Sequence, residues 1–118
     1  MFCSIILSML LMVAQPADIQ YDYIGTYTVS AYNFEEGGGE NYYTASGAEP
    51  KPYVTVAMHG YPYGTELYID GIGEVIVEDT GNFPDDWIDL HIGYDPIDSF
   101  DMKERDVYLI RRGTEDER

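Results

Sequence analysis

The chain has 118 residues, 45% of them hydrophobic and 14% aromatic, one domain's worth and enough to bury roughly 60–70% of its unfolded surface. Its net charge of -16, from 22 acids against 6 bases, repels phosphate backbones and anionic lipid and so excludes nucleic acid as a partner. The single cysteine, Cys3, lies in the first apolar stretch; a processed chain would carry no thiol, which excludes a disulfide framework, a cysteine metal site and a cysteine nucleophile together.

In chain order, residues 1–17 read as a signal peptide or hydrophobic leader. The apolar run from Ile5 to Ala14 has the length of a signal core and is too short to span a bilayer. Ala14 and Ala17 stand where cleavage is expected, although no Lys or Arg precedes the run. The implied localisation is secreted or cell envelope, without stable membrane insertion; a short anchor or a buried first element is the competing reading. Residues 18–24, with their polar lead, read as a linker. "GTYTVSAY" (25–32) then alternates as a half-buried strand does. "NFEEGGGENYY" reads as a surface loop, and "YVTVAM" (53–58) as a second strand. "TELYI", the turn "DGIG" and "EVIVED" form a hairpin, since Asp-Gly favours the backbone that such turns need. "WIDLHI" is another strand. Residues 96–105 hold one or two helical turns capped by Asp98 or Ser99, "DVYLIRR" closes the domain, and 113–118 is a charged tail. About six short, evenly spaced strands over 25–112 predict an all-β, small six-stranded closed barrel.

"EDTGNFPDDWIDLH" (78–91) puts five acids into fourteen positions. Asp79 and Asp89 interrupt apolar strand text, and burying an unpaired charge there is costly. An Asp-Thr-Gly turn invites comparison with aspartic proteases, but Glu78 precedes Asp79 where that turn has apolar residues, and Asn82 replaces a small residue.

"YTASG" (43–47), "AMHGYPYGTELYI" (57–69) and "GEVIVEDTGNFPDDWIDLHIG" (73–93) occur in an order that resembles the 3D domain, named for three aspartates, of secreted bacterial cell-wall enzymes. The same stretches are similar to the core of membrane-bound lytic transglycosylase A and to the rare lipoprotein A family. The resemblance spans roughly residues 26–112 and implies a double-psi β-barrel. Thr44, Ser46 and Gly47 match the family's Thr-Ala-Ser-Gly turn; Pro62, Gly64 and Thr65 match its Pro-x-Gly-Thr turn. Asp79 matches the Asp-Thr-Gly aspartate. Asp89 matches the aspartate that serves the transglycosylases as acid/base. His59 departs from the 3D pattern, which has its first aspartate there, and matches instead a functional histidine of the rare lipoprotein A family.

The chemistry also stands on its own. Lytic cleavage of a glycan needs one group to protonate the glycosidic oxygen and then deprotonate the sugar's 6-hydroxyl. Near neutral pH that carboxyl must have a raised pKa, from an apolar setting or a neighbouring like charge. "WIDLHI" gives Asp89 the first and Asp79 the second. A charged Asp79, held by turn amides, would stabilise an oxocarbenium-like transition state. The expected catalytic set is Asp89, Asp79 and His59. Thr44, Ser46, Tyr61, Tyr63 and Trp87 are the expected substrate contacts, with Tyr42 and Tyr43 among the aromatics near the motif loops. Plainer roles compete: Asp89 as a structural pin, His59 as a turn residue, most of the 12 tyrosines as strand residues. A metal set from His59, His91 and the acids has no helical His pair or Cys ligand behind it, so no metal and no cofactor is expected. The expected function is a secreted, monomeric peptidoglycan lytic transglycosylase acting on glycan strands. The alternatives are a non-catalytic glycan-binding or wall-loosening expansin-like module, or a structural protein of a virion or spore surface. The charge favours these alternatives; the two intact acids favour the enzyme.

Overall fold

The computed structural model describes residues 18–113 except 38 and 40. The predicted leader and residues 114–118 of the predicted tail lie outside the described residues. Six strands carry the fold: β1 (Ile19–Tyr32), β2 (Thr55–Met58), β3 (Glu66–Ile69), β4 (Gly73–Asp79), β5 (Trp87–His91) and β6 (Lys103–Arg112). One helical turn, α1 (Phe34–Gly37), follows β1, and a single 3-10 turn spans Ile97–Ser99. The sheet closes on itself in the order β1-β5-β2-β4-β3-β6, so the expected all-β, six-stranded closed fold holds. No helix among the described residues is long and apolar enough to cross a membrane.

The topology has internal symmetry. β1 pairs parallel with β5, and β2 parallel with β4; the other neighbours are antiparallel. Exchanging β1-β2-β3 for β4-β5-β6 maps every pairing onto another of the same direction. The two halves therefore interlock about a pseudo-two-fold axis that passes through the β2-β5 pair. Two parallel crossovers of this kind are what the term double-psi describes.

The inward faces fill a single core. Val29, Val56, Leu67, Val77, Ile88 and Val107, one from each strand, are each 0% exposed, and burial of such side chains contributes about 1.5–3 kcal/mol apiece. The β3-β4 hairpin turns at Asp70–Ile72 as expected, and Gly71 has φ +83°, the left-handed conformation that Asp-Gly turns favour.

Two boundaries differ from the sequence expectation. Of the segment expected to be a linker, 18–24, all but Asp18 is the start of β1, paired with β6 from Ile19↔Arg112 to Tyr23↔Tyr108. Its outward tyrosines are held by cross-strand ring contacts, Tyr21 on Tyr68 and Tyr23 on Tyr108. The helical turn at 97–99 has no side-chain cap: Pro96, not Asp98 or Ser99, occupies the N-cap. Asn33 does cap α1, its Oδ1 accepting the Glu36 amide at 3.1 Å.

Candidate active-site groove

Four residues form a row across four adjacent strands. Ser30 on β1 is opposite Asp89 on β5, Asp89 is opposite Ala57 on β2, and Ala57 is opposite Asp79 on β4. The pseudo-two-fold axis crosses this row at its middle, so Ala57 is the counterpart of Asp89 and Ser30 the counterpart of Asp79. Asp79 and Asp89 are thus two interstrand steps apart, ~10 Å between Cα atoms. The small Ala57 leaves an open floor between them.

A bulge puts Asp79 into this row. Val75 and Val77 point into the core, and strict alternation would send Asp79 after them. The register shifts between Val56↔Val77 and Ala57↔Asp79, leaving Glu78 as the extra residue. Asp79 then joins Asp89 in lining one groove of about 390 Å³, together with Tyr32, Glu36, Tyr42, Ala57 and the 80–83 loop.

The two acids have different surroundings. Asp79 is 4% exposed and accepts four hydrogen bonds. The amides of Ala45 and Thr80 donate to Oδ1 at 3.0 and 2.9 Å. The hydroxyls of Tyr32, at 2.9 Å, and of Tyr42 donate to Oδ2. Burial first, then the charge of Asp79, pushes the Tyr32 phenol above its ordinary 10.0, which keeps it a donor. Asp89 is half-buried and accepts one hydrogen bond, from Ser30 Oγ to Oδ1 at 2.9 Å; Oδ2 has no partner among the described residues. Desolvation raises the Asp89 carboxyl from 3.8 to about 6, with smaller contributions from the charges of Glu36 and Asp79.

Other expected site residues are placed elsewhere. His59 does not line the groove. Its Nε2 donates to the Gly81 carbonyl at 2.7 Å, its Nδ1 meets Asp85 at 3.1 Å, and its ring stacks on Phe83 at 4.6 Å. It therefore clamps the 80–86 loop from behind, with Phe83 between it and the groove. Those two hydrogen bonds, the Gly81 carbonyl first, raise its pKa. Gly81 permits this stack, because a Cβ there would lie 2.6 Å from the Phe83 ring. Thr44 and Ser46 close their own turn on Ala48 and so present the Ala45 amide to Asp79. Tyr61 packs on the core, while Tyr63 and Tyr43 are exposed and outside the groove lining. Trp87 lies outside the groove lining, and its indole N–H donates to Ser30 Oγ at 2.7 Å.

His91 is fully buried, between Tyr32 and Phe34 in edge-to-face contacts of 5.0 and 4.6 Å. Its Nδ1 accepts the Gly93 amide at 3.2 Å, which leaves the proton of the neutral ring on Nε2, an atom with no hydrogen-bond partner among the described residues. Burial lowers its pKa. Among the described residues no three His, Cys, Asp or Glu side chains are grouped as metal ligands would be.

Tyr32, Glu36 and Ala57 of the groove lining, and Ser30 beside Asp89, carried no sequence signal of their own. Alternation in "TYTVSAY" gives the faces of Ser30 and Tyr32 but not their partners, which lie 47 to 59 residues away. No protein-family model matches the chain, and no curated protein matches its sequence.

Proposed function

We propose that this groove binds a glycan strand of bacterial peptidoglycan and cleaves it by lytic transglycosylation, with Asp89 as acid and then base. The observation that carries the reading is the contrast between the two carboxyls flanking Ala57. One is saturated with donors; the other is desolvated, has a pKa of about 6 and keeps one oxygen free. The resemblance of the motif order to cell-wall transglycosylases points the same way.

In the first step Asp89 Oδ2 gives its proton to the glycosidic oxygen and the bond from that oxygen to C1 breaks. The oxocarbenium-like centre is stabilised by the negative charge of the groove, chiefly Asp79. In the second step the substrate's own 6-hydroxyl oxygen bonds to C1, and its proton returns to Asp89. The product is a 1,6-anhydro sugar, and no water is consumed. His59 acts through the loop, holding Gly81 and Phe83 as one wall. The chain works, in this reading, as a secreted protein whose partner is the wall itself.

The second reading, a glycan-binding or wall-loosening module, draws on the net charge of -16 and on a groove with no Lys or Arg in its lining. Purified protein mixed with sacculi separates the two. Falling turbidity with release of soluble fragments supports cleavage; co-sedimentation with intact sacculi and no release supports the module.

A further inference from the structure

Beneath Asp89 lies a chain of two hydrogen bonds, from Trp87 to Ser30 and from Ser30 to Asp89, whose direction is fixed at the indole end. The Trp87 indole N–H is a donor and never an acceptor, so in its 2.7 Å contact the Ser30 oxygen accepts. Ser30 has one hydroxyl proton, and its contact with Asp89 Oδ1 at 2.9 Å uses it. Trp87 and Asp89 are i and i+2 on β5, with Ser30 paired to Asp89 on β1, so strand geometry holds all three together. We infer that Ser30 is a positioning residue that assigns the two oxygens of Asp89: Oδ1 is tied to the Ser30 hydroxyl, and Oδ2 carries the proton that moves. This rests on the acid/base reading of Asp89 given above.

The assignment matters because a carboxylic acid with two equivalent oxygens carries its proton on the wrong one about half the time. It also places Ser30 as the one group among the described residues that favours the ionised form. The charges facing Asp89 act the other way: Glu36 from α1 and Asp79 from β4 both disfavour ionisation, as burial does. The carboxyl is thus held between a strong apolar and like-charge push and one opposing hydroxyl. Under the pseudo-two-fold, Ser30 is the counterpart of Asp79, so the two outer positions of the row both serve the carboxyl chemistry at its centre.

Two measurements test the inference: the Asp89 titration midpoint from carbon-13 carboxyl resonances, and the pH profile of sacculus cleavage. Both are made on wild type, Ser30→Ala, Ser30→Thr and Trp87→Phe. Ser30→Ala is expected to raise the midpoint by about one pH unit and to lower kcat ~10-fold with KM little changed. Ser30→Thr keeps the hydroxyl and restores both. Trp87→Phe gives a smaller rise of the same sign, because Ser30 still donates but loses the indole N–H that strengthens its hydroxyl as a donor. A midpoint in Ser30→Ala that matches wild type, or a folded Ser30→Thr that behaves like Ser30→Ala, overturns the assignment. If the wild type cleaves nothing, the resonance titration still decides. An upward shift in Ser30→Ala then upholds the oxygen assignment while the transglycosylase reading falls.

Discussion

Asp79 and Asp89 both face Ala57, one from β4 and the other from β5, so that a single methyl group separates two carboxylates across the sheet. The backbone already gives them different places, Asp89 beside the pseudo-two-fold axis and Asp79 at the end of the row after a bulge. Their surroundings separate them: Asp79 meets four donors and Asp89 one. That contrast supports the proposed division of labour, in which Asp89 moves the proton.

Asp89→Asn keeps the size of the side chain and an oxygen to accept from Ser30, but cannot release and recover a proton. Cleavage should fall by ~10²–10⁴-fold, as is typical for lost acid/base catalysis. Stability should move the other way. Folding raises the Asp89 pKa, so the contribution of this group is favourable at low pH and is lost as pH rises through about 6. Above that pH the variant escapes the cost of a desolvated charge. With solvent screening discounted, the gain is about 1–2 kcal/mol. Thermal melts at pH 4 and pH 8 check this: the variant should gain at pH 8 and not at pH 4.

The pH profile of cleavage follows from the same group. The first step needs protonated Asp89, so the rate should decline as pH rises through about 6. A rate that rises steadily between pH 5 and pH 8 would assign the proton transfer to another residue.

Asp79→Asn should damage both activity and fold. An amide at this site offers an NH2 group to partners that all donate, leaving a Tyr32 or Tyr42 hydroxyl or a turn amide unmatched. One buried unsatisfied group costs about 1–3 kcal/mol. Denaturant melts should show that loss, in contrast to Asp89→Asn at neutral pH.

His59→Ala should release the 80–86 loop, raising KM more than it lowers kcat, with faster amide exchange at Gly81–Phe83. His59→Asp should be no better than Ala, since a carboxylate would face the Gly81 carbonyl and Asp85. The clamp should also weaken with pH. The raised pKa of His59 makes its charged contact complete below 6.5 and lost as pH rises past the folded value.

The acids themselves were legible in sequence, because a carboxylate interrupts the apolar text of "WIDLH" and of "VIVED". How Asp79 avoids the core was not legible. The bulge at Glu78 exists only in the pairing of β4 with β2, and local text places Asp79 with Val75 and Val77. The start of β1 was missed for a similar reason: Gln20 and Asp22 make the segment read as polar, while the partners that order it are on β6. Glu36 sits in a run with Glu35 and three glycines, where nothing local distinguishes one glutamate from another; the Asn33 cap and the turn that follows aim it at the groove. Trp87 stands out in the sequence as an aromatic beside a motif, but its N–H is committed to Ser30 by a strand pairing 57 residues apart.

The most direct test of the central claim is mass spectrometry of the fragments released from sacculi at a pH below 6, in water labelled with heavy oxygen. The account predicts fragments ending in 1,6-anhydro sugars with no label incorporated, and none from Asp89→Asn. Labelled reducing ends, or equal release by Asp89→Asn, would contradict it.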